Sequence, residues 1–251
     1  MLNYEYAIDL TKRLVKSTSP CVLDYGCGAG QIVEKALAAG FDAYGVEEFY
    51  EGGSYHEDAK ITGMLGRRIF ELKEGNIPFP NQKFDVVISN QVFEHIDDYS
   101  FALAEIDRVL NPSGIFINVF PSAEVWREGH IGIPFAHWFL KRSKIRLYYV
   151  IPLRMLGMGF HKENKTIKQW ALDQLDWIDK WTFYKPASEI ERSFSAYFTI
   201  SYYNADYILF RLKKHAYLSH IYPLLSKDLF RPFLNFICVK LASRIFVLRK
   251  R

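Results

Sequence analysis

The stretch VLDYGCGAGQ (residues 22–31) decides the fold, because it places three glycines at alternate positions directly behind a short apolar run. An apolar run of this length is typical of a buried strand, and the segment QIVEKALAAG (residues 31–40) has a helical pattern closed by Gly40. A glycine-rich turn between a strand and a helix leaves room for a ligand against the backbone and points the helix N-terminus at it. The stretch therefore predicts a ligand-binding loop.

Strand and helix patterns alternate along most of the chain. This alternation predicts a doubly wound α/β fold with a mostly parallel, seven-stranded, Rossmann-like sheet. Residues 207–213 (YILFRLK) fit either a returning strand or a helix, and we favour the helix because residues 245–248 form a compact apolar run suited to the last strand. The predicted strands are residues 21–25, 42–48, 67–75, 84–90, 114–120, 197–203 and 243–250.

A length of 251 residues, about half of them apolar, suits one domain with elaborations. Residues 1–120 form the predicted ligand-binding half, and residues 186–251 complete the sheet. Residues 121–185 lie between them, are rich in aromatic and basic side chains, and show no clean period. We expect this segment to be an insertion after the fifth strand that covers the ligand site.

Charge is unevenly distributed along the chain. Residues 211–251 carry ten basic side chains and one acid, Asp228, whereas residues 1–210 carry 22 basic and 27 acidic side chains. The basic tail suits an amphipathic helix on an anionic membrane or an edge strand with a solvated end. We favour the strand because Phe236 and Phe246 fall off the apolar face of a helical wheel. An acidic body argues against nucleic acid as a partner.

Three cysteines, Cys21, Cys27 and Cys238, form no CxxC pair and have no histidine at a spacing suited to zinc. The sequence therefore predicts no disulfide framework and no metal site. The first twenty residues lack the continuous apolar segment of a signal peptide, and no apolar run reaches the length of a membrane span. These features lead us to expect a cytoplasmic protein, with contact to a membrane surface left open for the basic tail.

Two carboxylates near the glycine loop suggest which ligand it binds. Glu47 lies at the end of the second strand, 21 positions after Gly26, a distance that suits hydrogen bonds to ribose hydroxyls. The dinucleotide fingerprint GxGxxG would need glycine at position 31, where this chain has Gln31. Asp24 stands two residues before Gly26 and favours a ligand with a cationic amino group over a pyrophosphate.

Three stretches together resemble the class I S-adenosylmethionine-dependent methyltransferases. They are VLDYGCGAG (residues 22–30), GVE (residues 45–47) and IPFPNQKFDVVISNQVFEHI (residues 77–96). The third is the most specific, because its ProPhe, PheAsp and GluHis elements occur together in that family. The resemblance covers roughly residues 20–120 and implies S-adenosylmethionine as the cofactor.

The resemblance also implies roles for single residues around that cofactor. Asp24 would meet the amino group of its methionine part, and Glu47 would hold the ribose. Ile77 would flank the adenine, and either Glu74 or Asn76 would accept from the adenine amine. The loop residues beside the methionine part would be Gly26, Cys27, Gly28 and Gly30. The residues along the path to the reactive methyl would be Asn90, Gln91 and Val92.

Histidines beyond the fourth strand are the candidate bases. His95, with Glu94 beside it, follows that strand and has a pKa naturally near neutrality. Its alternative role is to cap the helix that begins near residue 98. His130 and His137 in the insertion are further candidates. Trp126 and Trp138 lie near them in sequence, and such rings suit a sugar by stacking or pack as a lid on a core of their own.

The function expected from these observations is methyl transfer to an oxygen, on a sugar of a glycan precursor or another small polar acceptor. A methyltransferase acting on a lipid or quinone head group at a membrane surface is the close alternative. A non-catalytic module that keeps the cofactor pocket, and an NAD-dependent enzyme on a similar sheet, remain as alternatives from other classes.

Overall fold

The computed structural model describes residues 2–50, 53–162 and 164–251, whose strands form one seven-stranded sheet. The strands lie in the order β3-β2-β1-β4-β5-β7-β6. Strand β7 is antiparallel to both of its neighbours, and the other neighbouring pairs are parallel. The predicted fold is thus confirmed. The strands are β1 (Cys21–Tyr25), β2 (Asp42–Glu47), β3 (Ile69–Glu71), β4 (Phe84–Asn90), β5 (Leu110–Phe120), β6 (Phe198–Tyr202) and β7 (Arg244–Lys250).

Helices cover both faces of the sheet. Residues of α1, α2, α3, α8 and α10 pack on one face, and residues of α4 and α7 pack on the other. The described helices are α1 (Leu2–Leu14), α2 (Gln31–Ala38), α3 (Tyr55–Ile61), α4 (Tyr99–Val109), α5 (Lys144–Met155), α6 (Ile167–Trp181), α7 (Ala187–Ser195), α8 (Asn204–Lys214), α9 (Tyr222–Leu225) and α10 (Arg231–Leu241).

Strand β5 shows why the sheet needs two helical layers. Ile115, Ile117 and Val119 lie in the core on the α1 side, while Phe116 and Phe120 lie in the core on the α4 side. All five are at most 1% exposed. A strand whose alternate side chains are apolar on both faces is typical of a parallel sheet covered on both sides.

The insertion contains two helices, α5 and α6, which the sequence did not predict. They pack on a small core of their own that includes Ile131, Val150 and the fully buried Trp170. The helical period of α5 is hidden because only Arg146 and Val150 are buried along it and Pro152 lies inside it. The lack of a clean period in this part of the sequence therefore concealed two helices.

The C-terminal tail is a helix, α10, followed by a strand, β7, and contact of the tail with a membrane stays a prediction. The sequence suggested an edge strand, and this was wrong. Strand β7 pairs with β5 on one side and with β6 on the other. Phe246 at its centre is fully buried. The expected helix over 207–213 is confirmed by α8. Within the described ranges, none of the helices has the length and apolarity that crossing a bilayer requires.

We predict that Phe194→Ala lowers the free energy of unfolding by about 3–5 kcal/mol. The Phe194 ring is fully buried and lies against the rings of Phe93, Phe116 and Phe246, so the truncation leaves a cavity that these rings fill only in part. Denaturant unfolding measures the change. Ile61→Ala is the control, because Ile61 is 75% exposed and its loss should change the free energy by less than about 0.5 kcal/mol. Equal losses in the two variants would contradict the prediction.

Candidate active site

The glycine loop turns sharply at the carboxyl end of β1. Gly26, Gly28 and Gly30 have φ angles of 75°, 54° and 89°, in the left-handed region that favours glycine. A Cβ atom on Gly26 would lie 2.3 Å from Cγ2 of Val92, and one on Gly30 would lie 2.5 Å from Cδ1 of Ile69. The loop therefore requires glycine both for its backbone angles and for its close packing.

Asp24 is a buried carboxylate at the base of this loop. Its side chain is 2% exposed, and its Oδ1 atom has no hydrogen-bond partner among the described residues. Burial, reinforced by the charge of Glu47, raises the pKa of Asp24 well above its usual value. A cationic group next to this carboxylate would supply the missing partner, and the amino group of S-adenosylmethionine is such a group.

Glu47 lies across the loop from Asp24. Its Oε2 accepts a hydrogen bond from the Gly28 N–H at 2.6 Å, and its Oε1 accepts one from the Glu48 N–H at 3.0 Å. Burial raises the pKa of Glu47, and these two hydrogen bonds oppose the rise. The position at the end of β2, beside the loop, fits the expected contact with a ribose. Cys27 packs between the glycines, and its Sγ would lie 2.6 Å from a Cβ on Gly45.

Three residues, Ile77, Asn76 and Glu74, are expected on the adenine side of the site. Ile77 is 2% exposed, and its N–H donates to Oε2 of Glu105 at 2.8 Å. Asn76 is exposed and donates from Nδ2 to the Lys73 carbonyl at 3.0 Å. Glu74 is also exposed and has a φ of 53°. The contacts of these residues with adenine stay predictions.

Asn90, Gln91 and Val92 leave the end of β4 toward the glycine loop. Oδ1 of Asn90 accepts a hydrogen bond from Nδ2 of Asn3 in α1 at 3.2 Å. Gln91 is exposed and has a φ of 59°, so the chain turns sharply there, and Val92 then packs against Gly26. Val92 thus lies beside the loop, and the positions of Asn90 and Gln91 along the path to the methyl group stay predictions.

Two tyrosines at this site were not predicted from the sequence. Burial raises the pKa of Tyr4 in α1, and the negative charge of Asp24 raises it further. The Tyr55 ring lies 3.6 Å from the position that a Cβ on Gly28 would occupy. In the sequence, Tyr4 precedes Ile8 by one helical turn, so the two side chains lie on the same face of α1. This spacing could have indicated that Tyr4 faces inward, because Ile8 is buried.

His95 and Glu94 form a short 3₁₀ turn after β4. Nδ1 of His95 lies 2.6 Å from the Trp181 carbonyl oxygen. A carbonyl only accepts, so Nδ1 carries the hydrogen and Nε2 keeps a lone pair. Burial lowers the pKa of His95, and the bond to Trp181 opposes the change. His95 does not cap α4, whose N-cap is Asp98.

Glu94 is a second buried carboxylate. Its side chain is fully buried, and neither carboxylate oxygen has a hydrogen-bond partner in the part of the chain that the structure describes. Burial raises the pKa of Glu94 to about 8, with a smaller contribution from the charge of Glu128. Burial therefore favours the neutral form of this carboxyl group.

The insertion brings His130 to His95 and adds two residues that the sequence did not predict. The ring centroids of His95 and His130 are 5.1 Å apart. Nδ1 of His130 lies 2.7 Å from Oε1 of Glu128, which also accepts from the Tyr184 hydroxyl at 2.6 Å. Burial opposes ionisation of Glu128, but hydrogen bonds from His130, Tyr184 and the Ile131 N–H outweigh it and lower its pKa.

His137 lies on the other side of Tyr184. Their ring centroids are 4.6 Å apart, and Nε2 of His137 is 3.3 Å from the Ala123 carbonyl oxygen. Burial lowers the pKa of His137. Both residues line a pocket of about 270 Å³ that also contains Arg146. Trp138 is 52% exposed and donates to the same Ala123 carbonyl, and Trp126 packs edge-on against Phe236 of α10. Tyr184, which hydrogen-bonds to Glu128, thus lies between His137 and His130, and a role of His137 as the base stays a prediction.

The sheet order, the glycine loop and the acidic ends of β1 and β2 define the class I methyltransferase fold. Residues 23–118 match a protein family described as "Methyltransferase domain". The S-adenosylmethionine-dependent methyltransferase of Mesorhizobium loti has the same fold, with a TM-score of 0.54 and 14% identity over all of both chains. Residues 23–118 thus match a methyltransferase domain, and the chain has the fold of the class I S-adenosylmethionine-dependent methyltransferases.

Relatives of known function match a smaller part of the chain. A ubiquinone biosynthesis O-methyltransferase of Bradyrhizobium sp. (strain ORS 278) is 28% identical over 48% of this chain and 47% of its own length. A demethylmenaquinone methyltransferase of Leptospira interrogans is 34% identical over 39% of this chain and 41% of its own length. The chain thus spans less than half the length of either relative.

We predict that Asp24→Asn weakens the affinity for S-adenosylmethionine by about 10–100-fold, as expected for loss of a hydrogen bond to a charged group. The affinity of the wild-type protein should rise with pH, because a cationic amino group binds the ionised form of Asp24. Calorimetric titration measures both effects. Asp228→Asn is the matched control, because Asp228 is 93% exposed. Unchanged affinity in Asp24→Asn would remove Asp24 from the site.

The same substitution should not unfold the protein. A raised pKa means that the folded state binds the Asp24 proton more tightly than the unfolded chain does. The contribution of Asp24 to the stability of the folded state is therefore fully present below its ordinary pKa of about 3.8. This contribution is lost as the pH rises through the raised pKa. We expect the melting temperature of Asp24→Asn to exceed that of the wild type at pH 8, by a margin that shrinks toward pH 5.

Proposed function

We propose that the protein transfers the methyl group of S-adenosylmethionine to a hydroxyl oxygen of a small polar acceptor, such as a sugar of a glycan precursor. The observation that most supports this proposal is the free lone pair on Nε2 of His95, five residues beyond β4. When bound, S-adenosylmethionine supplies a methyl group already activated on a sulfonium. The protein must then align the acceptor and take up the hydroxyl proton.

The geometry of His95 suits the uptake of that proton. The bond from Nδ1 to the Trp181 carbonyl fixes both the tautomer and the orientation of the ring. The lowered pKa keeps the imidazole neutral, and therefore able to accept a proton, at neutral pH. A hydroxyl nucleophile needs such a group because it must lose its proton as the new C–O bond forms.

Aromatic rings around His95 support a ring-shaped acceptor. Trp177 lies against both histidines, with centroids 6.2 Å from His95 and 5.1 Å from His130. Trp181 lies 5.8 Å from Tyr50, which follows β2 on the cofactor side. Both tryptophans are about two-fifths exposed, so their faces remain accessible to a ligand. Sugar rings stack on such faces and offer several hydroxyl groups.

We predict that His95→Gln lowers kcat by about 10²–10⁴-fold, the usual contribution of a general base. The affinity for S-adenosylmethionine should be unchanged, because Asp24 and Glu47 remain in place. The assay follows methyl transfer to a panel of nucleotide sugars and simple glycosides. His161→Gln is the control, because His161 is exposed.

Two outcomes would contradict this proposal in different ways. Undiminished turnover in His95→Gln would remove that histidine from the chemistry. Cofactor binding without turnover on any hydroxyl acceptor would instead support a non-catalytic binding module.

A quinone or lipid head group at the cytoplasmic face of a membrane is the second candidate acceptor. Both relatives described above are named for quinone methylation. The segment from the end of α8 to α10 also exposes large apolar side chains among basic residues, as membrane-surface helices do. The exposed apolar residues include Tyr217, Leu224, Leu229 and Phe233, and the basic residues include Lys213, Lys227 and Arg231.

We expect the second candidate, if correct, to give flotation with vesicles that contain phosphatidylglycerol and little flotation with phosphatidylcholine alone. The double substitution Leu229→Ser, Phe233→Ser should abolish it by removing exposed apolar contacts. Ile61→Ser is the control, since Ile61 is equally exposed on α3. Removal of residues 233–251 is unsuitable because it deletes β7 from within the sheet. Equal flotation of all variants, or none of the wild type, would argue against this candidate.

A further inference from the structure

We propose that Glu94, His95 and His130 bind a divalent transition-metal ion. One potential ligand atom from each residue lies within 4.8 Å of the other two. Two histidines and one carboxylate are a common ligand set for zinc and for related ions, and they leave coordination positions open to other ligands. The sequence predicted no metal site because His130 lies beyond β5, in the insertion.

Both histidines are held as metal-binding histidines usually are. A ligating imidazole generally donates its second N–H to a backbone carbonyl or a carboxylate, which fixes its tautomer. His95 donates from Nδ1 to the Trp181 carbonyl, and His130 is paired through Nδ1 with Glu128. Each ring thus keeps its Nε2 lone pair for an ion. Glu128 is fully buried and receives further hydrogen bonds from Tyr184 and the Ile131 N–H.

Glu94 is the independent observation that points to a cation. Its carboxyl group is fully buried, and both oxygens lack a hydrogen-bond partner within the described ranges. The charged group acting on it is Glu128, another carboxylate. Buried polar groups are normally paired, and a buried carboxylate commonly pairs with a cation or binds a metal. A cation between Glu94 and the two histidines would meet this requirement.

The dimensions of the cluster are compatible with an ion after a small adjustment. Bonds from zinc to nitrogen or carboxylate oxygen are about 2.0–2.2 Å long, so the ligand atoms must approach one another by roughly an ångström. Glu94 can supply much of this movement, because no hydrogen bond holds its carboxylate among the described residues. His130 is 25% exposed, which gives an ion a path from solvent.

This inference deepens the proposed function without depending on it for its test. In the metal-free protein, the Nε2 lone pair of His95 takes up the proton of the hydroxyl group that is methylated. An ion bound to His95 would occupy this lone pair. In the loaded protein the ion would bind the acceptor hydroxyl and lower its pKa, so that the proton leaves to solvent. Metal binding is measurable without any acceptor, so failure of one proposal is distinguishable from failure of the other.

The test is calorimetric titration of chelator-treated, full-length protein with ZnCl₂, followed by Co²⁺ as a spectroscopic probe. We expect one equivalent of Zn²⁺ to bind, Co²⁺ to give visible d–d absorption, and Mg²⁺ not to compete, because Mg²⁺ prefers oxygen ligands. His130→Asn should weaken Zn²⁺ binding at least about 10-fold, and Glu128→Gln about 10–100-fold. His161→Asn, at an exposed histidine, should leave the affinity unchanged.

Three results would overturn the proposal. They are no Zn²⁺ binding by the wild type, equal affinities of wild type and His130→Asn, or an equal loss in His161→Asn, which would indicate binding by surface histidines. Circular dichroism and S-adenosylmethionine affinity of each variant establish that it is folded. If His130→Asn does not fold, His130→Gln and Glu128→Gln carry the same test.

Discussion

The turn of the chain at the end of β1 is the constraint on which the rest of the site depends. The N–H groups of Gly26 and Cys27 both donate to the Val46 carbonyl of β2, at 2.9 and 3.0 Å, so the loop remains attached to the neighbouring strand as it turns. Left-handed backbone angles make that turn, and glycine adopts them without a steric cost. The same bonds bring Glu47 of β2 beside the loop and keep Asp24 buried beneath it.

Four carboxylates are buried among the described residues, and the protein accommodates them in two ways. Glu47 and Glu128 receive hydrogen bonds from the protein itself. Asp24 and Glu94 have unpartnered oxygens among the described residues, and burial raises the pKa of both. Carrying such groups costs stability, since neither the charged nor the neutral form is fully hydrogen-bonded. Residues kept at such a cost are commonly found where a ligand binds.

Much of the fold was predictable because local patterns determine it. The apolar runs of β1, β4 and β7 and the spacing of Asp24, Gly26 and Glu47 are visible in the sequence and correspond to the structure. The position of β7 between β5 and β6 was not predictable, because it depends on pairing between distant strands. Glu128 and Tyr184 were missed for the same reason. They lie far apart in the chain, and only the packing of the insertion brings them to His130.

His95 shows how the insertion and the sheet jointly determine the chemistry of one side chain. Trp181 is the last residue of α6, and helix C-termini leave carbonyls without partners inside the helix. Nδ1 of His95 supplies a donor to that carbonyl, so the end of α6 and the ring orientation stabilise each other. A structural role and a chemical role are therefore not alternatives for this histidine. The bond that Nδ1 makes to the helix leaves Nε2 with its lone pair, available for a proton or a metal ion.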